Sequence, residues 1–442
     1  MPRFRTLFFL LAACISLAAA WPIPASARVY VDLNQPAARK MPMAVPDFKP
    51  LDSGAPAPDT LTKDLPRFLG DGLDMTGFFI ILDPRTFLGT GQGGQESGAP
   101  VRFKEWLAIG CDLLVTGDFR LSGNDLVLEL RLYDVFEQRQ VVGKRYTTNF
   151  DDRFNVLNRF MNEILLALTG ERGVFGTTIA FVGKTNGYKE LYTMQLGQPG
   201  VRQVTKSRST TLSPVFSRRG DELAYLSYKT GRPNLYVQGL SDGVERRISI
   251  GPDLYLSPCF TAAGQLLVAI SQSSATNIHL VDRYGKEKRQ VTQGYGISLS
   301  PTLSPDGKRM AYVSDQAGHP QIYIMPVEGG EPRRVTFEGN YNTEPQWSPR
   351  GDRLVYVGKD NGKFIIYTIK PDGTDRQQLT SGDADDTSPA WSPGGRMIVF
   401  TSNRLGPSRL FTMTANGDRQ RPLTLDFKGE QFDPAWSAAE PD

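Results

Sequence analysis

Residues 343–351 read TEPQWSPRG, and nearly the same phrase stands one period to either side, as SLSPTLSPDG over 298–307 and DTSPAWSPGG over 386–395. The prolines that anchor it are Pro214, Pro258, Pro301, Pro345, Pro389 and Pro434, spaced 44, 43, 44, 44 and 45 residues apart. A period of this length is that of a β-propeller blade, four short strands joined by turns. The unit that starts at Pro301 shows the pattern. A first strand (301–304) meets the turn Pro305-Asp306-Gly307, and a nearly all-apolar second strand follows (309–314). A loop with Gly318 leads to a third strand (321–325), and Glu328-Gly329-Gly330 turns into a fourth (333–336). The second strand is apolar nearly throughout because neighbouring blades cover both of its faces.

The ends of the array decide its closure. The first unit starts at a second-strand pattern, Thr177-Thr-Ile-Ala-Phe181, with no anchor phrase before it. The last recognisable element, Asp433-Pro-Ala-Trp-Ser437, is a first strand with nothing after it. Six strands of every type result if the C-terminal strand joins the N-terminal sheet, which also removes the exposed edges of an open array. The sequence therefore predicts an α+β chain: a small N-terminal α/β domain over 28–170, then a six-bladed β-propeller over 174–438 closed by its C-terminal strand.

In the N-terminal domain, strands are expected at 29–33, 43–45, 78–82, 112–119, 126–135 and 139–148, and helices at about 59–69, 102–109 and 151–169. The last helix is the clearest, with Phe154, Leu157, Phe160, Met161, Ile164, Leu165 and Leu168 on one face. Asp151 or Asp152 is its expected N-cap and Gly170 its stop. Residues 1–27 carry a secretory pattern: Arg3 and Arg5, an apolar run from 7 to 20, and a cleavage site whose small residues are Ala25 and Ala27. Leu11-Ala-Ala-Cys14 also matches a lipoprotein box, against which the apolar run continues past Cys14 to Ala20. Beyond the signal only Cys111 and Cys259 remain, in different domains, so two separate buried thiols are expected and not a disulfide. The net charge of +3 includes Arg3 and Arg5, and no basic stripe with interleaved aromatics occurs, which excludes nucleic-acid binding.

The phrase resembles the P-x-W-S-P-D-G repeat that defines the TolB family. Trp347, Trp391 and Trp436 keep its aromatic as Trp, Phe216 and Phe260 keep a ring, and Leu303 departs from it. The D-G pair is intact at Asp306-Gly307 and is replaced at Arg219-Gly220, Ala263-Gly264, Arg350-Gly351 and Gly394-Gly395. Arg28-Val-Tyr-Val-Asp-Leu33, followed by Met41-Pro-Met-Ala-Val-Pro-Asp-Phe48, is similar to the family's opening strand and I-P-I-A-V-x-x-F segment. The resemblance spans nearly all of the chain after the signal. It implies a periplasmic, non-enzymatic, monomeric adaptor of the Tol-Pal system, without cofactor or metal, attached to the outer membrane only through partners. Those partners would be the Pal lipoprotein, bound by the propeller, and TolA, bound by the extreme N-terminus. The expected roles are outer-membrane integrity and invagination at division.

The residues themselves offer little catalytic chemistry. His279 falls in a third strand between Ile278 and Leu280, His319 falls in a hairpin loop, and no G-x-S-x-G elbow or hydrolase domain appears. Gly89-Thr-Gly-Gln-Gly-Gly94 lacks the strand–turn–helix setting of a nucleotide site. Asp383, Asp385 and Asp386 lack EF-hand spacing. The rival readings are a periplasmic propeller lyase or peptidase, and a cell-wall glycan-binding module. Recognition is expected instead in the loops that precede each anchor proline: 207–213, 251–257, 293–300, 338–344, 381–388 and 425–433. There Tyr255, Tyr295, Tyr341 and Phe432 are candidate aromatic anchors for Pal, unless they plug the channel, with Asn342, Asp383, Asp385 and Glu430 as rim polarity. The candidate TolA segment is 28–39, led by Arg28, Val29, Tyr30, Val31, Asp32, Leu33, Asn34 and Gln35.

Overall fold

The computed structural model of the chain describes residues 40–52, 58–87, 100–249, 253–272, 274–423 and 427–437. Residues 1–27, where a signal with Ala25 and Ala27 at its cleavage site is expected, the segment 28–39 and the glycine loop 89–94 lie outside the described residues. Six N-terminal strands, β1 (Met41–Ala44), β2 (Lys49–Pro50), β3 (Phe79–Ile81), β4 (Leu113–Ser122), β5 (Asp125–Asp134) and β6 (Arg139–Asn149), form one mixed sheet. Its order is β3-β1-β4-β5-β6, with β2 paired to β4. Period-two alternation gives the sheet two apolar faces. Met43, Leu113 and Val115 join the core beneath helices α1 (Leu65–Met75) and α3 (Arg153–Thr169). Ala44 and Leu114 face the other way, toward Trp106 of α2 (Phe103–Ala108) and the buried Cys111.

Two helices differ from expectation for identifiable reasons. The expected start at 59 holds as a π-helical turn, Thr60–Asp64, that runs straight into α1, while the helix continues past 69 to Met75; Pro66 lies in the first turn of α1, where a missing N–H costs nothing. Gly72 sits inside it at a close approach: a Cβ there would meet Met161 Sδ of α3 at 2.5 Å. α3 buries the expected face and ends at Gly170 with φ 75°. Asp152, however, makes no cap hydrogen bond, because its carboxylate accepts from Asn155 and from the Thr148 hydroxyl.

From Thr178 onward the chain forms six four-stranded antiparallel sheets. Blade one takes its inner strand, Glu430–Trp436, from the C-terminal end and pairs it with Thr178–Thr185. Trp436 Nε1 donates to Thr177 Oγ1 at 2.8 Å, and the Thr178 N–H donates to Ser437 Oγ at 3.0 Å. The turn glycines Gly220, Gly264, Gly307, Gly351 and Gly395 all have φ between 67° and 74°, a backbone that side chains disfavour.

Two contacts recur in most blades. Strands two and three face each other through a ring pair in five blades: Phe181–Tyr192, Tyr225–Tyr236, Tyr312–Tyr323, Tyr356–Tyr367 and Phe400–Phe411. Blade three has Val268 opposite His279 at this position, so the buried His279 occupies the site of a packing ring, with Nδ1 2.9 Å from Glu287 Oε1. The second contact is a threonine hydroxyl after the fourth strand. Thr205, Thr292, Thr336 and Thr380 accept the N–H of Leu191, Ile278, Ile322 and Ile366 at 2.9, 2.8, 2.9 and 3.0 Å. The fourth strand read as 333–336 pairs only over Arg333–Arg334, and Thr336 serves as the hydrogen-bonding hydroxyl.

The closing strand carries a testable consequence. Trp436→Ala removes a buried indole and leaves Thr177 without its donor, so unfolding free energy should fall by about 3–5 kcal/mol. A urea midpoint unchanged from wild type would show that the ring does not depend on this latch.

Candidate binding faces of the propeller

The repeated turns and the unrepeated loops lie at opposite ends of the strands, so the ring has a turn face and a loop face. The N-terminal domain docks on the turn face. Arg350, in the turn of the phrase TEPQWSPRG, donates to Glu171 at 2.5 Å, and Arg396 donates to the same carboxylate at 3.1 Å. Arg419, in the connection after the third strand of blade six, and Arg421, in its fourth strand, reach Asp74 of α1 at 3.1 and 3.8 Å. Apolar packing continues across the junction, where Val174, Phe175, Ile179, Met397 and Trp436 share one core with α1 and α3. Among the described residues, these contacts leave the loop face clear of the N-terminal domain.

The loop-face candidates divide into surface and core. Tyr295 is 95% exposed, and Tyr341 is 38% exposed and edge-on to Phe364. Asp383 is exposed. Asp385 is half-buried and accepts from the Phe364 N–H and from Asn403 Nδ2 at 3.2 and 3.3 Å. Glu430 pairs with Lys184 at 2.7 Å, and half-buried Phe432 lies under the Lys189 ammonium, 4.4 Å away. Two candidates are structural. Tyr255 is 5% exposed and packs in the core between blades two and three, because the inner strand already begins at Leu254. Asn342 is 1% exposed, and its amide donates to Gln321 Oε1 and the Glu338 carbonyl, both at 2.9 Å. Sequence reasoning missed Phe337, 70% exposed on the same face, which lies one residue before the loop as drawn from the anchor spacing.

The inner strands carry a feature with no sequence signature. The residue before each anchor proline, Ser213, Ser257, Ser300, Glu344, Ser388 or Asp433, has φ between 45° and 52°. The inner-strand register shifts at the same place in all six blades. Carboxylates link these bulges across neighbouring blades. Glu344 accepts the Ser388 N–H at 2.6 Å, while Asp433 accepts the Ser388 hydroxyl at 3.2 Å and the Ser213 N–H at 3.3 Å.

Comparison with known proteins decides the family. A domain family described as the TolB beta propeller domain matches residues 166–440, and the TolB amino-terminal domain matches residues 29–141. The chain belongs to the TolB family. It is 36% identical over 277 residues to a "Protein TolB homolog" of Chlorobium luteolum, covering 62% of each chain. It is 38% identical over 214 residues to the "Tol-Pal system protein TolB" of Syntrophus aciditrophicus, covering 47% of this chain and 46% of that one. The aligned regions thus span less than two thirds of the length of both relatives. Among solved structures, TolB from Acinetobacter baumannii superposes with a TM-score of 0.76 at 24% identity, covering 93% of this chain and 98% of that one, which speaks to the fold.

In this chain the bulge acids have an electrostatic consequence. Burial raises the Glu344 carboxyl to about 7; the nearby Asp433 carboxylate pushes the same way, and the Ser388 N–H opposes both. The residue keeps some solvent contact, which trims the size of the effect and not its sign. Between the ordinary carboxylate range and pH 7, the folded chain holds a proton that the unfolded chain has released. This contribution is therefore complete at low pH and is lost as pH rises through that window. Glu344→Gln keeps an oxygen for the Ser388 N–H without the charge, so it should flatten this loss and raise Tm at about pH 8 by about 2 °C or more. Parallel Tm profiles for variant and wild type between about pH 5 and pH 8 would contradict the shift.

Proposed function

We propose that this chain is a non-enzymatic periplasmic adaptor of the Tol-Pal system, binding Pal through the loop face of the propeller and TolA through residues 28–39. It works as a monomer and reaches the outer membrane only through its partners, supporting envelope integrity and invagination at division. The observation that carries this reading is the division of labour between faces. The turn face is occupied by the N-terminal domain, while the loop face presents Tyr295, Phe337 and Tyr341 on a rigid ring. Aromatic side chains on a fixed frame are the usual anchors of protein interfaces. The relatives' family and the Tol-Pal designation of the Syntrophus protein favour the same system. His279 is engaged in blade packing and His319 is an exposed loop residue, so neither histidine is poised beside a nucleophile.

Tyr295→Ala combined with Tyr341→Ala should weaken Pal binding by about 2 kcal/mol or more, with Tm unchanged. Equal affinity in calorimetry would remove the loop face from the Pal site. Deletion of residues 28–39 should abolish TolA capture while leaving Pal affinity intact; retained TolA capture would place that contact elsewhere.

A further inference from the structure

The loop that leaves the fourth strand of blade one is fixed from beneath by a buried acid. Glu190 is 3% exposed, and its carboxylate accepts the Thr205 hydroxyl at 2.5 Å, the Ser207 hydroxyl at 3.2 Å and the Arg208 N–H at 2.6 Å. At the equivalent place, blades two, three and four use the neutral amides of Asn234, Asn277 and Gln321, which accept from Ser249, Thr292 and Thr336. The acid holds Arg208 at φ 50°. Two residues on, Thr210 bridges to Lys189, and its carbonyl accepts the Tyr228 N–H at 2.9 Å. Three loops of the loop face are thereby tied into one unit.

That unit is strongly one-signed. Residues 185–190, 204–210 and 228–233 contain five bases, Lys189, Lys206, Arg208, Lys229 and Arg232, and one acid, the buried Glu190. Lys229 pairs with Glu245; Lys206, Arg208 and Arg232 are exposed, as are the rings of Tyr188 and Tyr228. We propose that this sector, formed by Tyr188, Lys189, Lys206, Arg208, Tyr228 and Arg232, docks an acidic segment of a protein partner. Bases on a pinned backbone match carboxylates at fixed spacing and lose little entropy on binding. The interleaved tyrosines supply contact area of the kind found at protein interfaces. A membrane surface, whose charge is diffuse, would gain nothing from the Glu190 anchor. This inference deepens the adaptor reading and rests on it only for naming Pal as the partner.

The test uses the full chain and three probes: Pal, a soluble Glu/Asp-rich peptide, and phosphatidylglycerol vesicles. Lys206→Glu with Arg208→Glu should weaken both Pal and peptide binding about tenfold or more, mainly through slower association. Lys206→Gln with Arg208→Gln should fall between, and raising salt from about 50 to about 300 mM should narrow the differences. All variants should keep the wild-type Tm, since the substituted side chains are exposed. Unchanged peptide binding in both variants, or capture of vesicles in place of the peptide, would overturn the sector. A wild type that binds the peptide in this way but ignores Pal would overturn the adaptor reading alone. One that binds neither would overturn the sector as well.

Discussion

Ring closure is the constraint on which the rest of the molecule depends. A linear array of blades would end in an unpaired inner edge at one terminus and an unfilled first blade at the other. Pairing of Glu430–Trp436 with Thr178–Thr185 removes both at once. It also fixes the N-terminal domain, because Trp436 bonds to Thr177 and lies in the same core as Val174, Phe175 and α3. Closing the ring and seating the domain are one packing event, joined through the short link between Gly170 and Thr177.

Within the ring, small repeated contacts do the work that long strands do elsewhere. Outer strands of two residues cannot hold a blade by ladder hydrogen bonds alone. In four blades the threonine hydroxyls that accept from the third strand extend the outer edge, and in five the facing rings stiffen strands two and three. His279 shows the tolerance of the arrangement. A histidine at a tyrosine position still packs, provided its ring nitrogen finds a partner such as Glu287.

The ring itself was legible in the sequence because the anchor prolines recur at nearly constant spacing, and the missing first strand at one end matched the extra one at the other. Local geometry was less legible. Nothing in Ser213, Glu344 or Asp433 announces a left-handed backbone before proline, since serine, glutamate and aspartate all stand at this bulge with nearly the same φ. Tyr255 and Asn342 were read as loop residues because a strand boundary is uncertain by a residue or two. That uncertainty decides whether a side chain points to a partner or into the interface between blades. The helix read as 59–69 was ended too early because Gly70 and Gly72 are breakers in general, whereas Gly72 is kept here by its close approach to Met161.

The places where the repeat departs from itself carry the most information. In TEPQWSPRG the aspartate of the family turn is replaced by Arg350, and one blade later Gly394-Gly395 is followed by Arg396. A turn needs only its glycine, so the neighbouring position is free to change. In these two blades it has become, or borders, the arginine that holds Glu171. Glu190, standing where other blades use amides, is a departure of the same kind on the opposite face. Repetition builds a frame whose positions are equivalent. Each charged exception breaks that equivalence at one sector of the ring: Arg350 and Arg396 give the scaffold a side that holds its own domain, and Glu190 fixes the loops of one sector on the other side.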